Sequence, residues 1–113
     1  MGYPLIQIHN STPYTASGTV YLASAFCSND DYTVGSQNTW TQGSRGICLL
    51  TEISATIYIG SQQVQATPYT SSGTSYSQFA IVQLGPNNYA VTRVVSALDS
   101  VGELEAEPTE QQK

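Results

Sequence analysis

Residues 47–59 carry the pattern that most restricts how this chain can fold. Apolar side chains recur at the odd positions Ile47, Leu49, Ile53, Ala55, Ile57 and Ile59. A period of two over thirteen residues is typical of a β-strand and does not fit the 3.6-residue period of a helix. A strand of this length usually bends, so we expect a bend or a β-bulge near Thr51.

Shorter strand-like segments cover the rest of residues 1–95, separated by turn-forming residues at intervals of about 8–12 residues. The segments are 4–9, 18–27, 31–34, 38–42, 63–67, 75–84 and 88–95. Ser and Thr, which together number 27, and eight tyrosines dominate the composition, and charged residues make up only 10%. The sequence therefore predicts an all-β domain, either an antiparallel β-sandwich or a small barrel.

One phrase occurs twice in the sequence. TPYTASGTVY (residues 12–21) returns as TPYTSSGTSY (residues 67–76), with eight of ten letters matching. We interpret the repeat as two related β units, each using the phrase as a turn at an equivalent corner, with Gly18 free to take a positive φ. The alternative is that the same turn chemistry was used twice. In the first interpretation, the loop that follows each phrase is also equivalent, which aligns Asn29, Asp30, Asp31 and Tyr32 with Pro86, Asn87, Asn88 and Tyr89.

Charge divides the chain into a nearly neutral body, residues 1–95, and an acidic tail, residues 96–113. The whole chain has a formal net charge of −5, most of it in the tail. Three basic residues are too few for a surface that follows phosphates, so we expect neither nucleic acid nor an anionic membrane as a partner. No apolar run is long enough to span a membrane. The tail is either a short amphipathic helix or a solvated segment.

Cys27 and Cys48 are the only cysteines. They form either one disulfide or two buried thiols, and we favour the disulfide because each lies at an end of a strand-like run. The N-terminal residues lack the features of a secretory signal. We therefore expect a cytoplasmic protein, one that reaches the cell surface by a non-classical route, or one from which a signal has been removed.

Catalytic chemistry has few candidate residues in the body. His9 is the only histidine, and no nucleophile motif accompanies it. Asp30 and Asp31 are adjacent and would point to opposite faces of a strand, so they do not form a catalytic carboxylate pair. We expect a protein that is not an enzyme and has no cofactor. A Ca²⁺ ion held by Asp30 and Asp31 is an alternative to a simple solvated turn.

The remaining surface is uncharged and rich in amides, hydroxyls and aromatic rings, which is the inventory that sugar binding requires. Amide and carboxylate groups form in-plane hydrogen bonds with sugar hydroxyls, and an aromatic ring covers the C–H face. Trp40 serves either this role or that of a core residue. The candidate sugar-binding residues are Asn29, Asp30, Asp31, Tyr32, Trp40, Asn87, Asn88 and Tyr89.

The runs HNSTPYTASGTVYLASAFCSNDDYTV and SRGICLL resemble the small haemagglutinin lectins of slime moulds, over residues 5–95. The resemblance implies a jelly-roll β-sandwich similar to a reduced legume lectin, glycan binding and cell agglutination. Legume lectins surround the sugar with an Asp, an Asn, an aromatic residue and a backbone Gly beside metal ions. Asp30, Asp31, Asn87, Asn88 and Gly85 would take these places, although no dense carboxylate metal site is present.

Two other classes of function stay open at this point. A cytolysin-like, lipid-binding sandwich would need an exposed aromatic cluster, which Tyr3, Tyr14 and Tyr69 could supply. A structural or protein-binding domain would use the two TPYT loops as its contact surface. For a haemagglutinin, agglutination requires at least two binding sites, so either both loop sets bind glycans or the chain forms a homo-oligomer.

Overall fold

The computed structural model of the protein describes residues 2–23 and 27–94, and these residues form ten β-strands and no helix. The strands are β1 (Gln7–Asn10), β2 (Thr15–Leu22), β3 (Asp30–Val34), β4 (Thr39–Thr41), β5 (Leu50–Ile53), β6 (Thr56–Ile59), β7 (Gln62–Gln65), β8 (Tyr69–Thr74), β9 (Gln78–Gly85) and β10 (Asn88–Arg93). They build two sheets that pack face to face, which confirms the all-β sandwich. The acidic tail, which the sequence leaves open as a short helix or a solvated segment, lies outside the described residues.

The small sheet has four strands and the large sheet has six. The small sheet has the order β10-β9-β1-β4. In the large sheet, β5 and β6 follow each other along one edge of β2, while β3 occupies the other edge. β7 pairs with β6, and β8 pairs with β5. β5 and β6 therefore form one arm of a long, interrupted hairpin, and β7 and β8 form the other arm. The pairing of β1 with β9 is parallel, which departs from the expected antiparallel pattern because β9 enters the small sheet by a crossover from β8.

The alternating segment forms β5 and β6, and it contains the expected bulge. In the ladder with β2, Glu52 pairs with Tyr21 and Leu50 pairs with the next residue, Leu22, so Thr51 is the extra residue of the bulge. The extra residue changes which parity faces inward, and consequently Leu50 and Ile53 are both fully buried. The strand begins later than expected, because Ile47 lies in a turn and is 75% exposed.

The core fills the space between the two sheets. It combines aliphatic residues with the aromatic residues Tyr32, Tyr76, Phe79 and Tyr89, all of which are buried. Tyr69 and Phe79 contact each other across the sheets in a tilted arrangement, with ring centroids 4.8 Å apart. Burial of these aliphatic and aromatic side chains supplies the apolar area that stabilises the sandwich.

Strand directions and registers place the connections at two ends of the sandwich. One end, which we call the disulfide end, carries residues 2–6, 27–29, 42–49 and 75–77, and there Cys27 is bonded to Cys48. The expected disulfide is thereby confirmed. The opposite end carries residues 11–14, 35–38, 60–61 and 86–87.

The two copies of the repeated phrase lie in the same sheet. β2 and β8 contain most of the two copies, and both pair with β5, from opposite sides. At the end of the second copy, residues 75–77 cross to the small sheet, whereas the first copy is followed by β3 in the large sheet. The two glycines also differ: Gly73 has φ of +135°, while Gly18 lies inside β2 without a positive φ.

Gly18 is required for close packing and not for a turn, and this leads to a prediction. A Cβ at this position would lie 2.0 Å from the Ser54 carbonyl oxygen and 2.9 Å from the Tyr32 hydroxyl oxygen. Gly18→Ala should therefore destabilise the fold by about 2–3 kcal/mol, the usual cost of overpacking. Urea denaturation measures the change, with Gly85→Ala as control, since a Cβ there meets nothing within 4 Å. Equal stabilities of the two variants would contradict the prediction.

Candidate functional site

A cleft of about 360 Å³ opens at the disulfide end of the sandwich. Its volume lies within the range of small-molecule sites, roughly 300–1,000 Å³. Two segments form its walls, residues 27–30 on one side and residues 44–48 on the other. The lining residues are Leu22, Cys27, Ser28, Asp30, Ser44, Arg45, Gly46 and Cys48.

Asp30 presents a carboxylate to this cleft in a fixed orientation. It is the first residue of β3 and shares the inward-facing parity of Tyr32 and Val34. The buried side chain of Gln42 donates a hydrogen bond from Nε2 to Asp30 Oδ2 at 2.8 Å. Gln42 is fixed in turn by two hydrogen bonds with the main chain of Ile6. Within the part of the chain that the structure describes, Oδ1 of Asp30 receives no hydrogen bond, so it can accept one from a ligand.

The neighbouring Asp31 points away from the cleft. Its Oδ1 accepts a hydrogen bond from Thr19 Oγ1 at 2.8 Å on the outer face of the large sheet. The two carboxylates therefore lie on opposite faces of β3, as strand alternation requires. They do not converge on one point, and the described residues contain no group of three or more His, Cys, Asp or Glu side chains able to hold a metal ion.

Two serines complete the polar rim of the cleft, and Asn29 lies between the lining residues Ser28 and Asp30. Asn29 Oδ1 accepts a hydrogen bond from the Leu22 amide at 3.0 Å, which fixes the end of the β2–β3 connection. Ser28 and Ser44 are exposed and lie on opposite walls. Leu22 contributes an apolar patch beside the disulfide. The cleft thus combines one oriented carboxylate, two hydroxyls and an apolar wall.

Arg45, in the wall formed by residues 44–48, is a buried structural residue. Its side chain is only 4% exposed. The guanidinium donates hydrogen bonds to five backbone carbonyl oxygens, those of Pro4, Cys48, Thr74, Ser75 and Tyr76. The same group lies 5.5 Å above the ring of Tyr3. These contacts hold the wall formed by residues 44–48 against the crossover between the sheets.

Tyr32 and Trp40, two of the expected sugar-binding residues, pack together against the core. Tyr32 is buried, and its hydroxyl donates a hydrogen bond to the Ser54 carbonyl oxygen at 2.5 Å. Burial raises the pKa of this hydroxyl well above its ordinary value, so it remains a donor. The half-buried Trp40 contacts the Tyr32 ring, with centroids 5.5 Å apart. Neither aromatic ring lines the cleft.

The second expected loop lies at the opposite end of the sandwich. Asn87 and Asn88 are exposed there, and Asn87 has φ of 56°, which suits the tight turn between β9 and β10. Tyr89 is buried in the core. The two Asn- and Tyr-bearing loops therefore do not form one site, since they are separated by the length of β9, about 23 Å at 3.3 Å per residue.

The three tyrosines considered for lipid binding do not form an exposed cluster. Tyr3 lies against Arg45 at the disulfide end, whereas Tyr14 is at the opposite end and half-buried. Tyr69 packs on Phe79. His9 Nδ1 lies 2.9 Å from Thr39 Oγ1 in the ladder between β1 and β4. The described residues contain no helix that could cross a membrane.

Comparison with known proteins gives no match for this chain. No family model, no curated protein and no solved structure matches it. The functional interpretation consequently depends on the cleft and its residues. Of the expected site residues, Asp30 lines this cleft and Asn29 supports its rim, while sequence reasoning missed Gln42, Ser28, Ser44 and Arg45.

Proposed function

We propose that the protein is a non-enzymatic carbohydrate-binding protein whose binding site is the cleft at the disulfide end. The observation that supports this most directly is the orientation of Asp30. Its Oδ2 is held by Gln42, and the residue lines a cleft of the size of a small ligand. A fixed carboxylate acceptor can bind the hydroxyl of a sugar without losing side-chain freedom on binding.

The other lining groups fit the same ligand class. Ser28 and Ser44 can both donate and accept hydrogen bonds, as sugar hydroxyls do. Leu22 and the disulfide offer an apolar surface for the C–H groups of a pyranose ring. The Arg45 charge is directed at backbone carbonyls, so an anionic ligand has no strong partner in this cation. A neutral saccharide is therefore the ligand class we infer.

Glycan-array binding of the purified protein, with and without EDTA, is the experiment that tests this proposal. We expect saturable binding to a related group of neutral glycans that is insensitive to EDTA. Asp30→Ala should weaken binding at least tenfold, because it removes the only carboxylate among the described residues that line the cleft. Asp31→Ala is the matched control, since the adjacent carboxylate lies on the other face of the sheet.

The outcomes separate clearly. Loss of binding in Asp30→Ala with retention in Asp31→Ala supports the cleft as the site. Equal effects of the two substitutions would place the site elsewhere, and a blank array with folded protein would overturn the proposal. Because Asp30 also accepts from Gln42, thermal unfolding of both variants must be compared, and we expect a loss of about 1.5–3 kcal/mol for Asp30→Ala from this bond to a charged carboxylate.

A further inference from the structure

The Cys27–Cys48 disulfide connects the two walls of the cleft. We propose that this bond is a redox control on the cleft: reduction releases one wall and weakens ligand binding while the sandwich stays folded. The inference rests on the proposed function, because it concerns the regulation of that same site. Three structural features carry it.

The first feature is that the two walls are anchored differently. Residues 44–48 are held by the Arg45 hydrogen bonds to four carbonyls outside this segment and by the Tyr3 amide, which donates to the Gly46 carbonyl oxygen at 2.7 Å. Those contacts do not involve either cysteine side chain. This wall should therefore keep its position when the disulfide is reduced.

The second feature is the sparse attachment of the other wall. The β2–β3 ladder ends at the pair Val20 and Asp30, and Cys27 and Ser28 lie beyond it. The hydrogen bonds described near this segment are those of the Ala23 amide to the Leu49 carbonyl at 2.8 Å, of the Leu22 amide to Asn29 and of Gln42 to Asp30, so Asn29 and Asp30 are fixed. Cys27 and Ser28 take part in none of these hydrogen bonds, and the disulfide to Cys48 is the contact that holds them across the cleft. Its reduction would let Ser28 move away from Ser44.

The third feature is access for a reductant. Both cysteines are half-buried and line a cleft that is open to solvent. Thiol–disulfide exchange requires a thiolate to reach a sulfur atom, and access through an open cleft permits this without unfolding. With dithiothreitol, the two reagent thiols become a cyclic disulfide, and their two hydrogens end on the sulfurs of Cys27 and Cys48.

The effect should stay local because the bond lies outside the strands that form the core. Neither cysteine belongs to β1–β10, and neither belongs to the buried cluster between the sheets. The core residues Ile8 and Ile57 are fully buried in the sheets and should not change environment. Reduction should accordingly alter the cleft before it alters the fold.

The experiment uses the intact protein, oxidised and after treatment with dithiothreitol, and a Cys27→Ser/Cys48→Ser variant that cannot form the bond. Amide signals in ¹H–¹⁵N NMR spectra report the cleft through Ser28 and Asp30, the fixed wall through Gly46, and the core through Ile8 and Ile57. The same samples are applied to a glycan array. We expect shifts at Ser28 and Asp30, unchanged core signals, and at least a tenfold loss of glycan binding.

Each outcome is decisive. Array binding that is equal in the oxidised and reduced proteins would overturn the redox inference and leave the proposed function intact. A blank array for the oxidised protein would overturn the proposed function and this inference with it. Loss of the core signals on reduction would also contradict the inference, because binding would then be lost through unfolding. If the double variant does not fold, the reduced wild-type protein gives the same comparison.

Discussion

Replacing Arg45 with methionine is expected to destabilise the protein by about 4 kcal/mol or more, the largest effect of any single substitution we consider. The guanidinium donates to carbonyl oxygens of three segments: the N-terminal Pro4, the turn at Cys48 and the crossover at residues 74–76. Each of these bonds is charge-assisted, and hydrogen bonds of that kind contribute about 1.5–3 kcal/mol. Methionine fills a similar volume but leaves the five carbonyls without this donor.

The measurement is thermal unfolding followed by circular dichroism. A loss of about 4 kcal/mol corresponds to a fall in Tm of roughly 15–30 °C for a domain of this size. Arg45→Lys gives the graded comparison, since an ammonium has three donors and no planar fork. We expect the lysine variant to lose about half as much stability as the methionine variant. Ser44→Ala, at an exposed neighbouring position, should be close to wild type. A methionine variant with wild-type Tm would show that these hydrogen bonds contribute nothing.

The strands could be predicted because their determinants are local. Alternation over residues 47–59 identified β5 and β6, and the length of that run indicated the bulge at Thr51. The disulfide followed from the position of each cysteine at the end of a strand-like run. In contrast, the parallel pairing of β1 with β9 joins residues about 70 positions apart, and no local pattern reports such a contact.

The site was predicted only in part, and one available signal was not used. Tyr32 and Tyr89 lie beside loop residues, which suggested exposure, yet Tyr32 shares its parity with Val34 and is buried. The same parity rule places Asp30 inward and Asp31 outward, so it could have separated the two carboxylates. Nothing local predicted Gln42, because its partners Ile6 and Asp30 are distant in sequence. Arg45 sits between small residues and is typical of an exposed turn in sequence, although it is buried.

The two copies of the repeated phrase have nearly the same sequence but form different contacts in the fold. In the first copy, Thr12 is buried and bonded to Asn10, at the connection between the two sheets. In the second copy, the exposed Thr67 donates its amide to the Tyr89 carbonyl and accepts from the Val91 amide with its own carbonyl. The first threonine of each phrase therefore forms hydrogen bonds with a strand of the small sheet, through side chains in the first copy and through the main chain in the second.

Asn10→Asp is expected to cost about 3–5 kcal/mol at neutral pH, although the two side chains have nearly the same shape. Asn10 is fully buried at the end of β1. Its Nδ2 donates to the carbonyl oxygens of Tyr14 at 2.7 Å and Val34 at 3.1 Å, and its Oδ1 accepts from the amide and hydroxyl of Thr12. A carboxylate retains the acceptor but cannot donate, so it would face two carbonyl oxygens with a buried negative charge. An uncompensated buried charge typically costs this much.

The cost should depend on pH in a direction that identifies its cause. Burial and the two carbonyls would raise the pKa of the new carboxyl in the folded state above its value of about 3.9 in the unfolded chain. The folded state then favours the protonated form, which can donate one hydrogen bond. The destabilisation relative to wild type is therefore smallest below about pH 4 and grows as the pH rises toward the folded-state pKa. Urea denaturation at pH 3.5, 5 and 7 measures this dependence. Asn88→Asp, on the exposed turn, should show almost no pH-dependent difference. A cost for Asn10→Asp that stays constant across this range would mean that the lost donor, and not the buried charge, dominates.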